Sequence, residues 1–232
     1  MLHKISHKKM GSGHRPGLES LFHFSFADYY NPDNKNFGKL RVVNDDLVGP
    51  GVGFEMHPHH DMEIITYVID GYLSHEDSLG HKGRVGRGQV QYMSAGTGIS
   101  HSEYNHEDQP LRLLQIWMIP DQKGHPPSYG EFAFDWSERD HRWFHFVSDH
   151  QGTAPIKIHQ DANFYIIALD SEKETQFAVK EGRQGYLIQI EGSAEINGET
   201  LNEQDALEVV EETLTIKANE QAHILMIEMK KE

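Results

Sequence analysis

Glycine recurs at positions 51, 53, 71, 80, 83, 86, 88, 96 and 98, and the intervening segments are short and rich in β-branched and aromatic residues. Long helical periodicity is scarce, so the spacing breaks the chain into strands and tight turns. Residues 63–68 (EIITYV), 89–93 (QVQYM) and 111–118 (LRLLQIWM) read as strands. The second half repeats the style at 164–169 (FYIIAL), 185–190 (GYLIQI), 193–196 (SAEI), 206–210 (ALEVV), 213–218 (TLTIKA) and 223–229 (HILMIEM). Asn197-Gly198, set between two of these runs, is a hairpin signal. Tyr67–Tyr72 (YVIDGY) and Gln189–Ala194 (QIEGSA) each end a strand on an acidic-Gly step, as two copies of one unit would. The expected fold class is all-β: a duplicated β-barrel with few short helices.

The 232 residues suffice for two such units of about 100 residues each. Pro126-Pro127 cannot continue a central strand, so a connector begins there and the boundary falls near residues 125–145. The expected domains are 1–130 and 131–232. The net charge of −15 disfavours a phosphate-backbone partner, and no direct nucleic-acid contact is expected. The one cationic stretch, His3 to Arg15, reads as a frayed terminus. With no cysteine, disulfides, thiolate-bound zinc and thiolate nucleophiles are excluded. No signal-like segment opens the chain, and no run approaches the roughly 18 apolar residues of a membrane span. A cytoplasmic protein without membrane contact is expected.

Histidine is the compositional outlier, with 17 residues, most of them at or before His125. An excess of imidazole without cysteine points to nitrogen and oxygen metal chemistry. The strongest local signal is His57-Pro58-His59. On an extended segment residues i and i+2 share a side, so both rings face one point, and Pro58 stiffens the loop between them. His101-Ser102-Glu103 repeats that spacing after a glycine-rich turn at Gly96 and Gly98. Two such pairs on adjacent strands supply three nitrogens and a carboxylate oxygen. That set suits one divalent transition metal; Fe(II) is the expected ion, with Mn, Ni, Cu, Co or Zn compatible.

The spacing Gly51-x5-His57-x-His59-x3-Glu63-x7-Gly71 resembles the first cupin motif, with the last spacer one residue longer than usual. Gly88-x5-Ser94-x-Gly96 followed by His101-x3-Asn105 resembles the second, with serine for the usual proline and a longer step to the histidine. These departures, together with HPHHDMEIITYVIDG and QYMSAGTGISHSE, resemble the pirin branch of the cupins, most strongly over residues 22–118. The resemblance implies a bicupin of two double-stranded β-helix barrels, of which the N-terminal one carries the metal. It implies His57, His59, His101 and Glu103 as ligands. Glu63 occupies the carboxylate position of ordinary cupins, and Glu103 is preferred because the pirin pattern sets it beside His101.

Several bacterial members of that branch are quercetin 2,3-dioxygenases. The resemblance therefore implies a flavonol and dioxygen as partners, ring cleavage with release of carbon monoxide, and Glu103 as the base for the 3-hydroxyl proton. Eukaryotic pirins bind transcription regulators, so the alternative is a non-enzymatic, metal- or redox-responsive protein with a regulatory protein partner. The C-terminal half lacks an H-x-H pair and is expected to carry no metal site. His60 has outward parity. His75-Glu76-Asp77 and His81 read as a solvated hairpin turn, residues 22–30 (FHFSFADYY) as a cover over the barrel, and Met56, Met93, Trp117 and Met118 as core.

Overall fold

The computed structural model describes residues 1–232. The chain opens with β1 (Leu2–Ile5), β2 (Gly11–Arg15), β3 (Leu18–Phe22), β4 (Leu40–Val48), β5 (Gly53–His59) and β6 (Glu63–Asp70). It continues through β7 (Tyr72–Asp77), β8 (Lys82–Gly86), β9 (Gln89–Ser94), β10 (Ile99–Tyr104), β11 (Leu111–Met118) and β12 (Ser128–Ala133). The remainder supplies β13 (Phe144–Asp149), β14 (Ile156–Ile158), β15 (Ala162–Leu169), β16 (Glu174–Ala178) and β17 (Arg183–Glu191). It ends with β18 (Ala194–Ile196), β19 (Glu199–Leu201), β20 (Ala206–Val210), β21 (Thr213–Ala218) and β22 (Ala222–Lys230). The only helices are two short 3-10 turns, His7–Lys9 and Trp136–Arg139. No helix is long and apolar enough to cross a membrane.

Two compact units result. One comprises Gly11–Phe134 with Ile158–Gln160; the other comprises Met1–Met10, Asp135–Lys157 and Asp161–Glu232. The first has a seven-stranded sheet ordered β12-β9-β6-β11-β4-β3-β2 and a four-stranded sheet β5-β10-β7-β8. The second repeats the plan as β1-β20-β17-β22-β15-β13-β14 and β16-β21-β18-β19. The two acidic-Gly steps occupy equivalent places in this plan. Gly71 (φ +77) and Gly192 (φ +71) are both left-handed, and a Cβ on either would strike the backbone entering β11 or β22, at Pro110 O (2.6 Å) and Gln221 O (1.8 Å). Asn197 and Gly198 both have positive φ (48° and 87°), as a two-residue type I′ hairpin requires.

The terminus expected to fray is ordered, and it divides between the units. β1 pairs antiparallel with β20 from Leu2↔Val209 to Ile5↔Ala206, while β2 pairs with β3. Residues 1–10 therefore belong to the second unit, not to the 1–130 domain drawn from sequence. The physical reason is an open edge: β1 covers the free rim of β20, as β12 covers β9 in the first sheet.

The two interiors differ. In the second unit, Leu187, Leu207 and Met226 from one sheet meet Ile196, Leu214 and Ile216 from the other in one continuous apolar cluster. In the first, the apolar interior is split. One cluster gathers Leu18, Val48, Val68, Leu73, Val85, Leu111 and Leu113; a smaller one holds Ile64, Met93, Ala95 and Ile99. Between them in register lies a polar rung, Asn44↔Gln115, Gln115↔Thr66 and Thr66↔Gln91, running from β4 across β11 and β6 to β9.

β5 and β10 meet with a bulge: Phe54 opposes Glu103 and His57 opposes His101, three steps on β5 against two on β10. Close approach at the start of this pairing requires glycine, because a Cβ on Gly53 would lie 2.2 Å from the Glu103 carbonyl oxygen. Gly53→Ala is expected to destabilise the protein by about 1–3 kcal/mol, read by urea denaturation, through the backbone shift such a clash forces. An unchanged midpoint would show that β5 can move off β10 without cost.

Candidate metal centre

His57 and His59 come from β5, and His101 from the facing position of β10. Their ring centroids lie 4.7 Å (57–59), 4.6 Å (57–101) and 4.9 Å (59–101) apart. Each can direct one nitrogen to a common point, with these atoms all within 4.8 Å of one another. The His57 Nδ1–H donates to the Glu55 carbonyl at 2.6 Å, which fixes the ring and leaves Nε2 as the free lone pair. His59 Nε2 and His101 Nδ1 are buried without a hydrogen-bond partner. Burial first, then the neighbouring imidazoles, holds His59 and His101 down to about 3. Both are therefore neutral near pH 7, the form a metal ion needs. Three converging imidazoles, two of them neutral with buried, unpartnered nitrogens, fit a divalent transition ion.

Glu103 sits one β10 step inward and is 2% exposed. Thr66 Oγ1 (3.2 Å) and Gln91 Nε2 (3.1 Å) donate to its Oε1, and Gln115 Nε2 (2.8 Å) donates to its Oε2. The polar rung of the large sheet is thus a cradle for one carboxylate. Burial pushes that carboxyl above its usual range, against the pull of His75, His57 and the Thr66 and Gln91 donors. The four residues expected from sequence do not form one group. His57, His59 and His101 converge, while Glu103 groups with His101 and with His75.

His75, which the sequence places in a solvated turn, is instead 3% exposed on β7, opposite Glu103 in the β10 pairing. Its ring stacks on Tyr129 at 4.4 Å and lies 5.4 Å from the His101 ring. Asp77 sits beside it at 3.4 Å and accepts from His81 at 2.8 Å. The missed signal was parity: Leu73, His75 and Asp77 alternate with exposed or half-buried neighbours, the pattern of a strand with one face inward. The cradle left a comparable trace, since Thr66, Gln91 and Gln115 are single polar residues interrupting otherwise apolar strands.

Glu63 stays apart from this cluster. The strand does not run unbroken from His59, because Asp61 takes a positive φ (49°) and resets the alternation. Glu63 is 1% exposed and engaged elsewhere, by Ser94 Oγ (2.7 Å), the His159 backbone N–H (3.1 Å) and Tyr92 Oη (3.3 Å). His60 faces solvent. In the second unit no comparable histidine cluster forms; His223 pairs with Glu191 at 2.7 Å.

A cavity of ≈ 840 Å³ leads to the three imidazoles and to Glu103. Residues 22–30 supply more than a cover, because Phe22, Phe26 and Tyr29 line it together with Phe54, Met56 and Trp117. Phe26 meets Trp117 edge-on at 5.5 Å, and Trp117 meets His59 edge-on at 4.8 Å, so aromatic wall and imidazole cluster are continuous. Met93 and Met118 are fully buried core.

Residues 5–118 match the family model for pirin, and residues 145–229 match that for the quercetinase C-terminal cupin domain. A pirin-like protein of Caulobacter vibrioides is 41% identical over 98% of this chain and 99% of its own length. The chain belongs to the pirin family. Within it, the quercetin 2,3-dioxygenase of Escherichia coli is 36% identical over 99% of both chains. The structure of the bacterial pirin YhhW from Escherichia coli in complex with nickel(II) superposes with a TM-score of 0.94, at 35% identity and over the full length of both chains. The all-β bicupin architecture expected from sequence is that of these pirins.

Proposed function

We propose that this pirin is a metal-dependent dioxygenase that opens the heterocycle of a flavonol such as quercetin and releases carbon monoxide. The observation that carries the reading is the meeting of three imidazoles, two of them with buried unpartnered nitrogens, and a buried carboxylate in one aromatic-lined cavity. In this reading His57, His59 and His101 hold one divalent ion, Fe(II) in the first instance, and Glu103 contributes the carboxylate oxygen. The nickel(II) complex of YhhW and the quercetin 2,3-dioxygenase name of the Escherichia coli relative support it. When bound, such an ion supplies Lewis acidity and a redox-capable centre.

The chain's own residues do the rest. Phe22, Phe26 and Trp117 bury the planar faces of the flavonol and exclude water from its reacting edge. Glu103, made more basic than a free carboxylate by burial, accepts the 3-hydroxyl proton. Gln91, Gln115 and Thr66 keep that carboxylate from rotating away. One flavonol and one dioxygen then give one carbon monoxide and one depside, which retains both oxygen atoms. The test is gas analysis with metal-loaded protein. Carbon monoxide is expected in equal amount to dioxygen consumed; flavonol loss without carbon monoxide would overturn ring cleavage.

A further inference from the structure

The donors of the polar rung of the first barrel converge on Glu103, and Gln91 Oε1, which does not line the cavity, is left without a partner. Gln91 and Gln115 donate to Glu103, and the single Thr66 hydroxyl proton lies between Glu103 Oε1 (3.2 Å) and Gln115 Oε1 (3.0 Å). The rung does not stop there. Its next member on β4 is Asn44, in register with Gln115 on one side and Phe22 on the other. Two residues further along the same face comes Asp46, in register with Ser20. Both line the cavity that holds His57, His59, His101 and Glu103.

Asn44 is 3% exposed and Asp46 2%, yet Asn44 Oδ1 and Asp46 Oδ1 have no hydrogen-bond partner. An acceptor buried without a donor costs about 1–3 kcal/mol, and two on one strand face are an unusual expense for a core. Asparagine and aspartate are also poor strand formers, so local propensity does not account for them. Such groups are expected where a ligand completes them. Both unpartnered atoms are acceptors, so the ligand must bring hydrogen-bond donors. Burial raises the Asp46 carboxyl against a hydrogen bond from the Ser20 side chain, and Asp45 and Glu103 add to the rise, which disfavours an anionic ligand group at this end of the cavity. The walls around the pair include Leu18, Phe22 and Phe26, which suit a flat apolar ring. Neutral hydroxyls on an aromatic ring meet all three conditions.

We propose that Asn44 and Asp46 form a subsite that recognises ring hydroxyls of the substrate, and so selects polyhydroxylated over unsubstituted aromatic enols. The identity of the ligand as a flavonol rests on the function proposed above; the acceptor pair rests on geometry alone. Burial pushes the Asp46 carboxyl up to about 7, and in either protonation state it keeps an acceptor oxygen.

The experiment compares two probes by titration calorimetry under argon, with nickel-loaded and metal-free protein. One is quercetin; the other is the unsubstituted parent flavonol, which has no hydroxyl on either benzene ring. The wild-type protein is expected to bind quercetin at least about 10-fold more tightly, the equivalent of one satisfied acceptor. Asn44→Ala and Asp46→Ala are expected to weaken quercetin by about 10-fold each while changing the parent flavonol by less than about 2-fold. Asp46→Asn, which keeps an acceptor and the shape, retains quercetin within about 3-fold. Equal affinities of the wild type for the two probes, or parallel losses of both probes in the alanine variants, overturn the subsite. The wild-type comparison decides even where an alanine variant fails to fold. Selective binding under argon, together with no carbon monoxide in the gas analysis under dioxygen, would leave the subsite standing and remove the dioxygenase reading.

Discussion

His101→Ala is expected to abolish tight nickel(II) binding, lowering affinity by at least about 1000-fold, and to remove flavonol turnover with it. The scale exceeds the 10–100-fold that loss of a ligand's supporting neighbour costs, because a donor itself is removed. His101 is singled out by position. It is the one side chain common to both groups of converging donors, His57 with His59 on one side and His75 with Glu103 on the other. No neighbour can replace it: Ser100 and Ser102 alternate to the opposite face of β10 and are half-buried there. The metal-free fold should survive the change. Packing around the ring is lost, but a buried nitrogen without a partner is removed as well, and the two effects oppose each other. Metal analysis after dialysis, beside thermal melts of both metal-free proteins, checks this. Wild-type metal content in the variant would overturn the assignment of His101, and a collapsed melt would show that its role is structural.

The second large effect is expected from Glu103→Gln, which should lower the rate of carbon monoxide release by about 10²–10⁴, the usual contribution of a positioned base. The substitution keeps size and removes the charge. It also sets an amide N–H₂ among Thr66, Gln91 and Gln115, which now offer only donors to that group, so one of the three contacts becomes repulsive. Metal content should fall far less than in His101→Ala, because the three imidazoles are untouched. Steady-state rates paired with metal stoichiometry separate the two roles. A variant that turns over flavonol at the wild-type rate removes Glu103 as the base, and one that loses metal as completely as His101→Ala makes it chiefly a ligand.

Much of the fold was legible because sheet formation leaves a local trace. The apolar runs at 111–118 and 206–210 match β11 and β20 closely, since these strands are buried over much of their length. Asn197-Gly198 and the paired acidic-Gly steps were legible for a related reason: only glycine tolerates the left-handed backbone and the close chain approach found there. The terminal strand was not. Leu2–Ile5 carries two lysine- and histidine-bearing positions and little apolar pattern, and it becomes a strand because β20, some two hundred residues away in sequence, offers it an edge.

For the candidate centre, the sequence by itself determined which residues could meet in pairs. Extended backbone puts His57 with His59, and His101 with Glu103, on common faces, and that follows from period two alone. The tertiary structure decided how the pairs combine. The bulge opposite His101 brings three imidazoles together and leaves Glu103 one step deeper, while Asp61 breaks the alternation that would have carried Glu63 to the same face as His57 and His59. It also recruited His75, Thr66, Gln91 and Gln115 from four other strands. Contacts between strands depend on register and sheet order, which are set by the packing of the whole barrel and leave no mark on any one segment.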